Sequence, residues 1–214
     1  MRCHQPRGSF DVGRCVALVD YGAGNLQSVR NALKAAGAEN IIVTADPDAV
    51  RGADHIVLPG VGAFAHCMSA LSSIDGMVNA LNDATGAGGK PFLGICVGMQ
   101  LMADAGEEHG RHAGLGWISG TVRMMKPSDS AIKIPHMGWN DVIPVGAHPL
   151  IEVGEAYFLH SFAFEGDDVL ATTQHGASIV AAIGKDNRIG VQFHPEKSQS
   201  YGLQFLSRFL EWRP

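Results

Sequence analysis

The pentapeptide Gly94-Ile-Cys96-Val-Gly98 closes the strongly apolar run Pro91-Phe-Leu-Gly-Ile95. A glycine two residues to either side of one cysteine lets a strand turn straight into a helix, because backbones meet there too closely for Cβ atoms. A buried parallel strand feeding a helix requires further β-α units beside it, and the sequence supplies them. Cys15–Val19 reads as a strand, followed by a helix from about Asn25 to Ala36 that Gly37 stops. Ile41–Val43 is a second strand, and Asp46-Pro47 caps and opens the next helix. His55–Leu58 leads into Pro59-Gly-Val-Gly62, and helical stretches at Phe64–Leu71 and Asp75–Ala84 precede the Cys96 strand. After it, a helix is expected over Val97–Met102.

Beyond about Gly120 short β-prone runs dominate: Thr121–Met125, Ala156–Leu159, Val169–Thr173, Ile179–Ile183 and Ile189–Phe193. A final helix over Ser198–Trp212 carries Leu203, Leu206, Phe209 and Leu210 on one face. The expected architecture is therefore α/β: a mostly parallel central sheet with flanking helices, a nucleophile elbow, and a smaller antiparallel β portion in the C-terminal half. Residues 1–14 read as a loose N-terminal extension and 15–214 as a single domain.

Composition excludes other classes. With 46% hydrophobic and 17% charged residues the chain is too apolar to stay unfolded. A net charge of −5 argues against sequence-independent nucleic-acid binding, and no apolar run is long enough to span a bilayer. Cys3, Cys15, Cys67 and Cys96 form no C-x-x-C pair, so neither a disulfide framework nor a zinc knuckle is expected. The His109–His112 loop is not H-E-x-x-H, so no metal is expected there. His55 and His66 read as structural, Cys67 as a small core residue. The first residues lack the apolar stretch of a secretory signal, which points to the cytoplasm.

Three segments carry chemistry. An elbow holds the Cys96 sulfur above the sheet edge at the positive end of a helix, where the thiolate is favoured and the Val97 N–H faces a developing oxyanion. A buried cysteine in a Gly-rich turn fits the pentapeptide equally well. In Gln192-Phe-His194-Pro-Glu196, Pro195 pushes His194 towards extended geometry, so residues i and i+2 project to one side and Glu196 can orient the imidazole. Gly60-Val61-Gly62 follows a strand and can present a peptide N–H to an oxyanion; it lacks the Lys-Ser/Thr ending of a phosphate-binding loop.

Together with Asp20-Tyr-Gly-Ala-Gly-Asn-Leu26, Pro135-His-Met-Gly-Trp-Asn140 and Tyr157-Phe-Leu-His-Ser161, these segments resemble the triad-type (class I) glutamine amidotransferases. Within that class they resemble the glutaminase subunit of imidazole glycerol phosphate synthase, the Pro-His-Met-Gly-Trp-Asn segment being the specific one. The resemblance implies that Cys96, His194 and Glu196 hydrolyse glutamine, with Val97 and Val61 as oxyanion donors. It implies that Gly62, Gln100, Glu108, Ser161 and Phe162 surround the substrate, with no cofactor. It further implies a (β/α)8 cyclase subunit as heterodimer partner, which Asn25, Pro135, His136, Met137, Gly138, Trp139, Asn140 and Lys197 would face. The chain departs from the family's habit in its longer extension before Cys15, in Val97 where Leu is common, and in Phe162 where Tyr is frequent. A sister amidotransferase, a γ-glutamyl hydrolase acting alone and a non-catalytic subunit of the same fold are the alternatives at this stage.

Overall fold

The computed structural model describes residues 14–128 and 131–214, so all of the expected extension except Arg14 lies outside the described residues. The first four β-α steps run β1 (Cys15–Val19), α1 (Leu26–Ala35), β2 (Asn40–Thr44), α2 (Pro47–Gly52), β3 (His55–Gly60), α3 (Phe64–Ser73), α4 (Met77–Thr85), β4 (Phe92–Cys96) and α5 (Val97–Gln100). Local chemistry sets the boundaries. Asn25 accepts the Ser28 N–H and caps α1; Asp46 accepts the Asp48 N–H and caps α2, whose first residue is Pro47. The second half comprises β5 (Ala103–Gly106), β6 (His112–Ala113), β7 (Ile118–Met124), β8 (His136–Pro144), β9 (Gly154–His160), β10 (Phe162–Gly166), β11 (Val169–Gln174), β12 (Ser178–Lys185), β13 (Arg188–Val191) and α6 (Gln199–Glu211).

Among the described residues a nine-stranded sheet has the order β2-β1-β3-β4-β13-β12-β11-β8-β9. Its first five strands are parallel, and every pairing from β13 to β9 is antiparallel. The sequence texture explains the division. β1, β3 and β4 are buried at every residue, as strands covered on both faces by helices must be. β8 and β9 alternate buried and open positions, the mark of a ribbon with one wet face. A second, four-stranded sheet, β10-β7-β5-β6, packs alongside.

Two expectations need correction, and four strands were not expected. The helix expected over Val97–Met102 is a single turn, because the carbonyls of Leu101 and Met102 are taken by the N–H groups of Leu115, Trp117 and Ile118 instead of by a next helical turn. That diversion creates β5, which with β6, β8 and β10 had no clear apolar run to announce it. The strand expected to end at Phe193 stops at Val191, where the His194 N–H leaves the ladder for the Tyr157 carbonyl.

The elbow is built as the glycine spacing demands. Cys96 has φ 54° and ψ −111°, a conformation rare for a residue with a side chain. A Cβ at Gly98 would stand 1.9 Å from the Leu58 carbonyl oxygen, and one at Gly94 2.6 Å from that of Gly98. Replacing Gly98 by Ala therefore forces β3 and α5 apart, at a cost of about 2–3 kcal/mol or more. We expect thermal unfolding of Gly98→Ala to fall by about 5–10 °C. Gly52→Ala, whose Cβ meets nothing within 4 Å, should stay within a few degrees of the parent. Equal midpoints for the two variants would contradict this account of the elbow.

Candidate active site

Four strand ends meet at one edge of the parallel sheet. Beyond β1 comes Tyr21, beyond β3 the Val61 loop, at the end of β4 Cys96, and beyond β13 His194. This carboxyl edge is where open α/β sheets place their sites. A cavity of about 260 Å³ opens there, and Cys96, Val97, Val61, Gly62, Gln100, Glu108, Ser161, Phe162, His194 and Lys197 all line it. The structure thus gathers the expected triad cysteine and histidine with each expected oxyanion and glutamine-contact residue.

His194 is extended (φ −100°, ψ 95°), as the following proline requires. Glu196 reaches it differently from the expected straight chain: Pro195–Lys197 form a 3-10 turn that brings Glu196 Oε1 to 2.8 Å from His194 Nδ1. Both side chains are at least 97% buried. Burial by itself lowers the imidazole, but hydrogen bonding and charge from Cys96 and Glu196 outweigh it and hold His194 up at about 9. The Nε2 atom is buried and without a hydrogen bond of regular geometry, available to a reacting group. At neutral pH this histidine is held as an imidazolium facing the Cys96 sulfur.

Around Cys96 the backbone and two glutamines finish the site. Val97 is the first residue of α5, so its N–H has no helical acceptor. Gln192, wholly buried, donates from Nε2 to the Cys96 sulfur at 3.6 Å. Gln100 donates from its own Nε2 to Gln192 Oε1 and to the Phe162 carbonyl, both at 3.0 Å. Its amide protons are therefore spent inside the protein, leaving the carbonyl end for a ligand. Glu108 accepts the Phe64 N–H at 2.9 Å, anchoring the start of α3.

The Pro59–Gly62 loop is braced from beneath. The Tyr21 hydroxyl donates to the Pro59 carbonyl at 2.7 Å, and the Cys67 thiol donates to the Val61 carbonyl at 3.4 Å. Burial pushes the Cys67 thiol up, so it stays a donor. Glycines flank the Val61 peptide on both sides, but only one of them leaves it room to turn. Gly60 does not: it is the last residue of β3, and a Cβ there would meet Gly98 N at 2.7 Å. Gly62, at φ 108° with open space around it, is the pivot.

The residues expected to face a partner divide. Pro135, Met137 and Trp139 are exposed, as are Asn25 and Lys197, whereas His136 is buried. The register pairs Met137 with Leu159 and Trp139 with Tyr157, and Lys197 Nζ lies 5.7 Å over the Tyr157 ring. An exposed apolar ribbon thus runs to the rim of the cavity. Sequence reasoning passed over Gln192, His160, Tyr21 and Cys67 as site residues. For Gln192 a signal existed: it stands two before His194 in an extended segment and so faces the same way.

Residues 17–211 match the family described as "Glutamine amidotransferase class-I". The chain belongs to the class I glutamine amidotransferases. It is 62% identical over 205 residues to "Imidazole glycerol phosphate synthase subunit HisH" of Zymomonas mobilis, covering 93% of this chain and 96% of that protein. The corresponding HisH of Rhodospirillum rubrum is 52% identical, over 93% and 99%. Among solved structures, one titled "Crystal structure of glutamine amidotransferase" gives a TM-score of 0.70 at 18% identity, covering 91% and 97% of the two chains. PurLQS from Thermotoga maritima gives 0.67 at 19%, covering 93% and 96%. At those identities the structures speak for the amidotransferase fold, and the relatives assign the chain to the HisH group within the class.

The buried amidotransferase pair makes a pH prediction. A histidine raised in the folded state stabilises the fold fully below its unfolded value near 6.5, and that contribution disappears as pH rises through about 9. Titration of ring-labelled His194 by NMR should show the proton lost near pH 9. Glu196→Gln removes one of the raising influences and should move the midpoint down. An unchanged midpoint would mean that Glu196 does not hold the imidazolium.

Proposed function

We propose that Cys96, His194 and Glu196 carry out the glutamine hydrolysis of this HisH-type subunit, with residues 15–214 acting as one amidotransferase domain. The observation that carries the reading is the buried His194–Glu196 pair beside a cysteine at the tip of a strained elbow, facing a cavity. The Cys96 sulfur, its proton already held by His194, attacks the side-chain carboxamide carbon of glutamine, and charge collects on the carboxamide oxygen. Val97 N–H, free at the start of α5, and Val61 N–H meet that oxygen. His194, already protonated, gives its proton to the departing ammonia and leaves a γ-glutamyl thioester. The now neutral imidazole takes a proton from water, which attacks the thioester; glutamate leaves, and the sulfur departs as the anion beside the imidazolium again. Glu196 holds the ring and offsets the imidazolium charge. Gly62, the open end of Gln100, Glu108, Ser161 and Phe162 position the substrate.

The ammonia passes to a separate (β/α)8 cyclase subunit, bound as a heterodimer, which forms imidazole glycerol phosphate in histidine biosynthesis. Support for the docking face is chemical: Met137, Leu159 and Trp139 are 66%, 37% and 47% exposed on one ribbon ending at the cavity rim. Of the other expected partner-facing residues, Asn25, Pro135 and Lys197 are exposed and Gly138 and Asn140 partly so, while His136 is buried. The reaction calls for no cofactor or metal, and the cytoplasm is its proposed setting; no helix among the described residues is long and apolar enough to cross a membrane.

Cys96→Ala should abolish glutamine-dependent synthesis by the complex while leaving synthesis from added ammonium salt intact. Failure of ammonium to rescue an assembled complex would refute the division of labour. Trp139→Ala should keep the parent circular dichroism spectrum and weaken assembly at least tenfold, since buried aromatic anchors dominate interfaces. The partner is expected to act on Val61: turning its N–H inward about Gly62 supplies one oxyanion donor, worth about 10²–10³ in kcat. Stopped-flow glutaminase rates of the free subunit and of the liganded complex test this; equal rates rule out the switch.

A further inference from the structure

Behind the apolar ribbon lies a line of polar side chains that the reaction as described does not use. His136 and His160 stand opposite each other in the β8–β9 register, with His136 Nδ1 3.1 Å from His160 Nε2. Asn140 Nδ2 is 3.0 Å from His136 Nε2, and His160 Nδ1 is 2.9 Å from the Phe162 carbonyl. His136 is stacked between Phe158 and His175, which fixes its ring plane.

The direction of every hydrogen bond in this line follows from its ends. Phe162 offers a carbonyl, so His160 Nδ1 must carry the proton and its Nε2 must accept. His136 Nδ1 is then the donor, and its Nε2 accepts from Asn140. The Asn140 amide cannot flip to undo this, because its Oδ1 accepts the Asp141 N–H at 2.9 Å and its Nδ2 also donates to the Gln174 carbonyl at 2.8 Å. At the far end the Phe162 carbonyl receives His160 on one lone pair and Gln100 on the other. Gln100 in turn fixes Gln192, whose Nε2 is the amide donor to the Cys96 sulfur. The line is continuous from the back of the ribbon to the sulfur.

We propose that Asn140, His136 and His160 are positioning residues: a one-way donor relay that pins the Phe162 carbonyl, and through Gln100 and Gln192 the Cys96 sulfur, and that ties this alignment to the seating of β8. The proposal rests on the glutaminase reading of Cys96. With Asn140 donating to His136 Nε2, both histidines of the parent must be neutral for the relay to run. Burial lowers His136 to about 3, helped by His160 and His175, and lowers His160 to about 4, with the charges of His175 and His194 adding to it. The titratable groups that face the pair are thus His175 from the turn after β11 and His194 from beyond β13.

Two variants in the assembled complex test the relay. His136→Phe keeps a ring in the stack and removes both bonds; kcat for glutamine hydrolysis should fall about tenfold with KM within about twofold. Asn140→Asp tests polarity at a partly exposed site where folding is safe. A carboxylate there accepts from His136 Nε2. While His136 is an imidazolium it still donates to His160 and the relay holds; once it loses that proton the line reverses and His160 Nδ1 faces Phe162 with a lone pair. A carboxylate at 140 raises His136, so the kcat of Asn140→Asp should fall with rising pH where His136 loses its proton, opposite to the usual gain of a thiol enzyme, while the parent shows no such fall. Nitrogen-15 shifts of labelled histidine in the Cys96→Ser complex give a readout independent of turnover: the parent should show His160 protonated at Nδ1. Finding the proton at Nε2 overturns the relay whether or not glutamine is hydrolysed. So does a kcat within twofold of the parent across pH 6–8 in both folded variants. Loss of Cys96-dependent turnover in the parent complex would strike the glutaminase reading itself, and the kinetic claim with it.

Discussion

Everything at the carboxyl edge depends on the backbone of Cys96 being held at a positive φ. Such a conformation costs about 1–3 kcal/mol and persists only where its surroundings over-determine it. They do so here. β4 is hydrogen-bonded on both sides, to β3 and to β13, through to the last residues of each strand. Gly98 then presses on Leu58 closely enough that no side chain fits between α5 and β3. Because β13 pairs with β4, the same ladder that strains Cys96 also fixes where the chain emerges at Gln192 and His194. Sulfur, imidazole and glutamine amide thus share one frame.

Histidines that lie close together end on opposite sides of their ordinary value, although burial lowers all three. His194 has a carboxylate and a thiol as neighbours and stays charged; His136 and His160 have each other and His175 and stay neutral. Desolvation is common to all three, so the sign of each outcome is set by the partner alone. Separate roles as acid and as oriented donor follow without any difference in residue type.

Much of this was legible in the sequence, and the limits are physical. The parallel half was readable because strands buried on both faces are written as unbroken apolar runs, and because Asn25, Asp46 and Pro47 mark helix starts by local chemistry. The triad segments were readable because glycine and proline constrain their neighbours directly. β8 was not, since Gly138 and its half-open face give it little apolar signature. Nor was the end of α5, which is decided by the carbonyls of Leu101 and Met102 finding partners more than a dozen residues away. Gln192 and His160 sat inside recognised motifs, yet their roles depend on pairings with Gln100 and His136 that only tertiary structure creates. Glu196 was placed correctly beside His194 on an incorrect premise: a tight 3-10 turn, not an extended chain, makes the approach.

The passage from β9 to β10 turns on one residue. His160 ends a strand of the large sheet, Phe162 begins a strand of the small one, and Ser161 alone lies between them, its carbonyl tied to the Met125 N–H. All three residues line the cavity. One wall of the pocket therefore belongs to two sheets at once, and its shape is a function of the dihedral angle between them. Ser161 is thus a corner held by hydrogen-bonded strands on both sides, a wall with less freedom than a loop would have.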